Sequence, residues 1–112
     1  MLTSGDVIPL DLGTPIGSEA GLLRPAVVVT AQRVLSQGPR VVHVVPLTTT
    51  VREWASEVPV PPDVVAGVNR ESAAQCQHVR AVSTARVVEP LGNVGPVLLQ
   101  QIRKTIAVLL DL

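Results

Sequence analysis

Valine constrains the fold of this chain more than any other feature, because 22 of the 112 residues are valine and only Trp54 is aromatic. β-Branched residues favour strands, and continuous apolar runs such as the one from Ala26 to Thr30 are typical of strands buried on both faces. The 10 prolines and 8 glycines interrupt these runs, which predicts short strands and tight turns. We therefore expect one domain, residues 1–112, with an aliphatic core.

Charge and cysteine content narrow the class of protein. Nine basic and nine acidic residues give zero net charge, so binding to a polyanion would require a local basic patch. The single cysteine, Cys76, excludes an internal disulfide and is typical of a reducing cytosol. The first residues lack the pattern of a secretory leader, and no apolar run approaches the ~18 residues of a membrane span. These features predict a cytoplasmic protein with no membrane association.

The apolar pattern predicts a series of short strands. We expect strands at Asp6–Leu12, Pro25–Thr30, Arg40–Thr48 and Glu57–Val60, two paired strands between Ser72 and Val82, and a last short strand at Val87–Glu89. Pro9 indicates that the first strand lies at a sheet edge or carries a bulge, because proline cannot donate to a ladder. Residues 13–23 read as an irregular loop, and residues 31–36 as one helical turn.

A helix is predicted at the end of the chain, capped by Asn93 and extending to Leu110, with Pro96 in its first turn. Its apolar stripe consists of Leu98, Ile102, Ile106 and Leu109, with Gln100, Arg103 and Lys104 on the other side. The predicted architecture is mainly β: a small, strongly bent sheet or barrel with one C-terminal helix.

The best candidate for a functional position is Arg24, at the junction between the glycine-containing loop and the second strand. Side chains at the rim of a rigid strand, beside a loop, are well placed for binding and catalysis. An exposed arginine that simply ends a strand is the alternative interpretation.

Several segments, in order along the chain, resemble the MazF/PemK-type toxins of toxin–antitoxin systems. They are Gly5-Asp6-Val7, Gly17-Ser18-Glu19 followed after four residues by Arg24-Pro25-Ala26, Val45-Pro46-Leu47-Thr48-Thr49-Thr50, Ala55-Ser56-Glu57-Val58, Val79-Arg80-Ala81-Val82 and Leu91-Gly92. The resemblance implies an SH3-like β-barrel with a C-terminal helix, in agreement with the strand pattern. It also implies a homodimer that cuts single-stranded RNA at short sequences without a metal or other cofactor.

The resemblance implies catalytic roles for three residues, Arg24, Thr48 and Glu19. Arginine suits a phosphate because its planar donors match the phosphate oxygens and its charge is permanent. The Thr48 hydroxyl would orient or donate to the same phosphate, and Glu19 matches the carboxylate of the family's loop. Alternatively, Thr48 merely ends a strand and Glu19 is a solvated charge.

The segment Gln75-Cys76-Gln77-His78 departs from the family pattern, in which an acidic residue is often found. The carboxylate that some relatives use as a base is therefore missing, and His78 stands where relatives commonly have glutamine. Histidine changes its charge near neutral pH, so we include His78 among the catalytic candidates as a proton acceptor. A surface histidine, or one that contacts a base, is the alternative.

Six further residues are expected to contact RNA: Ser18, Thr49, Arg52, Trp54, Gln77 and Arg80. Ordinary solvated charges are the alternative for Arg52 and Arg80, and Trp54 can instead cover the core. His43 is expected to be packed in a central strand and Cys76 to be a buried thiol. Two distant histidines and one cysteine do not form a zinc set.

The sequence thus favours a toxin that is a metal-independent, sequence-specific endoribonuclease. The resemblance implies two protein partners, a second copy of the chain and a MazE-like antitoxin whose tail blocks the RNA groove. A binding module without catalysis is the first alternative, since Gln75 and Gln77 are neutral. A gyrase-poisoning relative is the second, although that activity is associated with a tryptophan near the C-terminus and this chain ends in Leu-Asp-Leu.

Overall fold

The computed structural model describes residues 1–63 and 70–112 as seven strands, two α-helices and two 3₁₀ turns. The strands are β1 (Asp6–Asp11), β2 (Leu23–Val28), β3 (Val41–Thr48), β4 (Glu57–Val60), β5 (Ser72–Gln75), β6 (Arg80–Ser83) and β7 (Gly92–Asn93). The helices are α1 (Gln32–Leu35) and α2 (Gly95–Leu110), and the 3₁₀ turns are Cys76–His78 and Thr84–Arg86. The predicted mainly β fold with a C-terminal helix is confirmed.

Strand β3 organises the sheet, because it is bordered on both edges and its two ends have different neighbours. The strand order is β4-β5-β3-β2-β1-β7, with β6 also paired to β3, and the described pairs are antiparallel. On one edge β3 pairs with β2. On the other edge β6 takes the first half of β3 and β5 takes its end. The 3₁₀ turn Cys76–His78 therefore lies where the chain passes from β5 to β6.

The prediction that the strands between Ser72 and Val82 pair with each other is wrong, because both pair with β3. The predicted strand at Val87–Glu89 is also absent, and the last strand is Gly92–Asn93, paired with Asp6 and Val7. The pairing of β1 with β7 ends at Val7, before Pro9. Pro9 faces Pro25 across the β1–β2 ladder, so the lost amide donors are confined to one pair of residues.

The alternation of side chains along the strands divides the apolar residues between two core clusters, since successive residues face opposite sides of a sheet. Val7, Val27 and Val45 belong to one cluster, to which α2 contributes Leu99 and Ile102. The other cluster covers the opposite face and consists of Ile8, Leu10, Leu12, Ala26, Val28, Leu35, Val42, Val44 and Val82. Both faces are thus buried at the end of β2 and in the second half of β3, as the valine runs predict, whereas Val41 and His43 leave one face of the start of β3 exposed.

Helix α2 begins at Gly95, and its N-cap is Val94, one residue after the predicted Asn93. The Asn93 side chain still accepts a hydrogen bond from the Gly95 amide at 2.7 Å. Leu98, Ile102 and Ile106 contact the core as predicted, whereas Leu109 is exposed. Arg103 does not lie on the solvent side: its guanidinium donates to the Val29 and Thr30 carbonyls and to Ser4 Oγ. The stripe alone cannot show this, because the acceptors belong to a distant part of the chain.

Candidate active site

A cavity of about 370 Å³ opens where the end of β3, the start of β2 and the 3₁₀ turn after β5 meet. It is lined by Ser18, Glu19, Ala20, Arg24, Thr48, Thr50, Arg52, Trp54, Gln75, Gln77 and His78. All four predicted catalytic residues are in this set, although they are as many as 59 positions apart in sequence. Polar side chains from separate elements that converge on one concavity are the usual sign of a binding or catalytic site.

The structure does not bring two of the predicted RNA contacts, Thr49 and Arg80, into this cavity. Side chains two positions apart share one side of an extended chain, so Thr50 joins Thr48 in the lining and Thr49 does not. Arg80 belongs to β6, which pairs with the first half of β3, and its Nη1 donates to the Leu12 carbonyl at 3.3 Å.

Arg24 is held both by the sheet and by the base of the loop between β1 and β2. Strand β2 begins at Leu23, one residue before Arg24 and two before the predicted start, and Arg24 pairs with Leu10. The Arg24 Nε donates to the Gly21 carbonyl at 2.9 Å, and Nη1 donates to Gln75 Oε1 at 3.4 Å. No other acceptor in the described part of the chain bonds this guanidinium, so its remaining N–H groups are available to an anionic ligand.

The loop between β1 and β2 is closed tightly at its base, and this fixes the acceptor for Arg24. The Leu22 amide donates to the Gly13 carbonyl at 2.6 Å, with Leu22 in the left-handed region at φ 62°. A Cβ on Gly21 would come within 2.5 Å of the Pro15 ring, so only glycine fits there. At the tip, the exposed Glu19 accepts a hydrogen bond from the Ile16 amide at 2.9 Å.

Thr48 is half-buried at the end of β3, and its Oγ1 accepts a hydrogen bond from the Thr50 amide at 3.1 Å. This turn contact uses the oxygen as an acceptor and leaves the hydroxyl proton free to donate. His78 is also half-buried in the cavity lining. Within the described residues its imidazole has no hydrogen-bond partner that would fix one tautomer.

Glu57 is the polar residue that the sequence analysis missed. Its side chain is 1% exposed and lies at the first position of β4, directly opposite Gln75. Oε2 accepts hydrogen bonds from Arg52 Nη2 at 2.5 Å, Gln77 Nε2 at 2.7 Å and Gln75 Nε2 at 3.4 Å. The strand pattern places Glu57 on the same side as the exposed Pro59, so it gives no indication of burial.

Burial alone would raise the pKa of the Glu57 carboxyl, because desolvation disfavours a charge. The hydrogen bonds from Arg52, Gln77 and Gln75 outweigh it, and the pKa of Glu57 is lowered from its ordinary value. Glu57 is therefore ionised at neutral pH. The ionised Glu57 thus places a negative charge behind the cavity lining, next to the neutral side chains of Gln75 and Gln77.

The matching sequence family is the PemK-like, MazF-like toxin of type II toxin–antitoxin systems, and the match covers residues 3–110. The chain belongs to this family. It is 30% identical over 116 residues to a curated protein from Mycobacterium tuberculosis that is named endoribonuclease MazF9. This alignment covers 100% of this chain and 98% of that protein.

Solved structures of MazF toxins share the fold of this MazF-like toxin. MazF from Deinococcus radiodurans matches with a TM-score of 0.80 and 23% identity, over 97% of this chain and 96% of the other. A mycobacterial endoribonuclease in complex with its cognate antitoxin matches with a TM-score of 0.75 and 20% identity, over 100% and 97%. The resemblance and the fold predicted from the sequence are thus confirmed.

Two further properties of this MazF-like toxin concern ligands and membranes. Across residues 1–63 and 70–112, no three His, Cys, Asp or Glu side chains are close enough together to hold a metal ion. No helix in the same ranges has the length and apolar character needed to cross a bilayer.

Cys76 is buried as predicted, and burial raises the pKa of its thiol to about 11, which excludes it as a thiolate nucleophile at neutral pH. His43, by contrast, is exposed rather than packed.

Proposed function

We propose that this toxin is a metal-independent, sequence-specific endoribonuclease that cleaves single-stranded RNA through attack by the substrate's own 2′-hydroxyl. The supporting observation is the convergence of Arg24, Thr48 and His78 on one cavity. The enzyme class predicted from the sequence agrees with the name of the curated relative, which matches over nearly its whole length. Growth arrest through loss of translatable RNA in the cytoplasm is the expected outcome.

The proposed reaction forms a bond between the ribose 2′-oxygen and the adjacent phosphorus and breaks the bond from phosphorus to the 5′-oxygen. A base accepts the proton of the 2′-hydroxyl, and an acid protonates the leaving 5′-oxygen. The products are a 2′,3′-cyclic phosphate and a free 5′-hydroxyl. No water or metal is consumed in this step.

Arg24 is assigned to the phosphate, where its free N–H groups stabilise the charge that develops on the non-bridging oxygens. The Thr48 hydroxyl, with its proton free, donates to the same group. His78 is assigned as the proton acceptor, and the imidazolium that forms is the source of the proton for the leaving 5′-oxygen, while Glu19 at the loop tip is a further catalytic candidate. An imidazole with no hydrogen-bond partner among residues 1–63 and 70–112 is suited to this task, because both ring nitrogens are left for substrate and solvent.

RNA outside the scissile phosphate is assigned to the polar and aromatic lining. Ser18, Arg52 and Gln77 offer donors and acceptors, and the half-exposed Trp54 ring offers a surface on which a base can stack. Thr50 replaces the predicted Thr49 in this set. Arg80, which lies outside the cavity, is left to contact RNA beyond it.

The two protein partners are proposed on surface chemistry and on the relatives. The end of α2 and the residues that follow it expose four large apolar side chains: Val108, Leu109, Leu110 and Leu112. Exposed apolar side chains concentrated in one short segment are typical of protein–protein contact, which supports a homodimer. A cognate antitoxin is proposed because the mycobacterial relative is a complex with one.

Incubation of the purified protein with end-labelled RNA in EDTA tests the function. We expect discrete fragments with 2′,3′-cyclic phosphate and 5′-hydroxyl ends, and mapping these ends will define the cleavage motif. A shift in mobility without fragments would instead identify a non-catalytic RNA-binding module. Fragments that require Mg²⁺ would contradict the proposed chemistry.

A further inference from the structure

Three polar side chains of the cavity donate to one buried oxygen, Glu57 Oε2. The donors are Arg52, Gln75 and Gln77, and all three line the cavity, whereas Glu57 itself does not. An ionised carboxylate has only acceptor oxygens, so a glutamine beside it must present its NH₂ group and turn its carbonyl oxygen away. The anion thus favours one orientation of each of the two amides.

The consequence is visible at Gln75, which is 6% exposed. Its Nε2 faces Glu57 and its Oε1 accepts from Arg24 Nη1. If the Gln75 amide were reversed, two N–H donors would face each other at Arg24 and the contact would be lost. The position of the guanidinium in the cavity therefore depends partly on the Gly21 carbonyl and partly, through Gln75, on a carboxylate that it does not touch.

A second chain of contacts leads from Glu57 to the aromatic part of the cavity. The Arg52 guanidinium that pairs with Glu57 also lies over the Trp54 ring, with its carbon 3.6 Å from the ring centroid. The Glu57 amide donates to the Trp54 carbonyl at 3.0 Å, which closes the connector between β3 and β4. One buried anion thus connects the phosphate-binding and base-stacking parts of the lining.

We propose that Glu57 is a positioning residue, which fixes the Gln75 amide so that Gln75 Oε1 holds the Arg24 guanidinium in place for the scissile phosphate. This inference rests on the proposed ribonuclease function. Glu57 is too buried to contact RNA itself, so its effect on cleavage passes through Gln75 and Arg24.

The direct test is Glu57→Gln, which keeps the shape of the side chain and removes the charge. We expect kcat for RNA cleavage to fall about 10–100-fold, the usual cost of removing an outer partner of a functional side chain, with KM nearly unchanged. The matched control is Glu89→Gln, the same chemical change at an exposed carboxylate outside the cavity, for which we expect wild-type kcat.

A double-mutant cycle separates positioning from simple destabilisation. Gln75→Leu removes the intermediate amide and leaves Glu57 in place, and we expect a similar loss of kcat. If Glu57 acts through Gln75, the double variant will be no slower than the slower single variant. Additive losses, or a loss of thermal stability with unchanged kcat in Glu57→Gln, would overturn the proposal.

A measurement without RNA distinguishes failure of this inference from failure of the proposed function. In the ¹⁵N-labelled protein, the Gln75 and Gln77 side-chain NH₂ groups are expected to exchange slowly with water, and in Glu57→Gln this protection should be lost. A wild-type protein that cuts no RNA in EDTA would contradict the nuclease function, while the exchange data would still decide whether Glu57 orients the amides. Unchanged exchange in Glu57→Gln would refute the orienting role, whatever the cleavage result.

Discussion

The Arg52 guanidinium carbon lies 3.6 Å from the centroid of the Trp54 ring, and the same guanidinium is paired with the buried Glu57. Stacking of a cation on an aromatic face is favourable, and here it holds the only aromatic ring of the chain beside the cavity. One face of the ring is thus occupied by arginine. The ring is still half-exposed, which leaves part of its surface for contact with a base.

Replacement of Trp54 tests this stacking surface. We expect Trp54→Ala to raise KM for RNA by a factor that corresponds to about 1–3 kcal/mol, the usual contribution of one stacked base, with a smaller effect on kcat. Trp54→Phe keeps an aromatic face and should retain most of the affinity. Steady-state cleavage of a short RNA gives both constants, and equal KM values for all three proteins would exclude a stacking role.

Arg24→Ala is expected to lower kcat/KM about 10²–10³-fold, because a fixed donor to the developing phosphate charge is removed. Arg33→Ala serves as the control, since Arg33 is an exposed arginine on α1, outside the cavity. Circular dichroism establishes that both variants fold. Cleavage by Arg24→Ala at the wild-type rate would contradict the proposed role of Arg24 at the scissile phosphate.

The two histidines of the chain provide an internal comparison for the proton acceptor. If His78 accepts the 2′-hydroxyl proton, replacement of its imidazole removes the general base of the reaction. His78→Gln should therefore cleave RNA more slowly at neutral pH, and its rate should depend on pH differently from that of the wild type. His43→Gln changes an exposed imidazole outside the cavity and should keep the wild-type profile. Identical profiles for all three proteins would assign the proton transfer elsewhere.

Glu57 should also make stability depend on pH at the acidic end. Its pKa in the folded protein is below the ordinary value of 4.5, so the folded state favours the ionised form. The resulting stabilisation is fully present above about pH 4.5 and is lost as the pH falls through the folded-state pKa. Urea unfolding of the wild type and of Glu57→Gln should therefore show a difference in unfolding free energy that shrinks on acidification. A difference that grows instead would contradict the direction of the shift.

Arg103 is expected to stabilise the fold by attaching α2 to the end of β2. Its guanidinium donates to the Val29 carbonyl at 3.1 Å and to Ser4 Oγ at 2.6 Å. We expect Arg103→Met to lower the free energy of unfolding by about 2 kcal/mol, since hydrogen bonds from a charged group are lost. Lys104→Met, at the adjacent exposed position, should change it by less than about 0.5 kcal/mol. Equal effects of the two substitutions would show that the contacts of Arg103 contribute nothing.

Local patterns were sufficient to predict the strands with strong periodicity and the helix. The valine run of β2 and the second half of β3 are buried on both faces, and Asn93 and Pro96 lie at the start of α2. Strand partners were less predictable, because pairing depends on chain reversal through segments that carry no periodicity. Strands β5 and β6 illustrate this, since each pairs with β3 and they do not pair with each other.

The candidate site was predictable where a residue type suits the chemistry and a resemblance gives its place. Arg24, Thr48, Glu19 and His78 meet in the cavity, and their roles remain predictions. The site's buried anion was not predictable, because alternation along β4 places Glu57 on the exposed side. Its burial results from a cross-strand neighbour and from a connector that the pattern does not describe.

The division of one edge of β3 between β5 and β6 has a consequence for how this toxin can change. The frame of valine strands tolerates little substitution, since both of its faces are packed and any added or lost methylene is felt. The 3₁₀ turn at that division carries Gln77 and His78 but contributes only Cys76 to the core. Under the proposed function, changes in the RNA sequence that is selected should therefore concentrate in the connector around Trp54, where new side chains reach the cavity without disturbing the sheet or the proposed roles of Gln77 and His78.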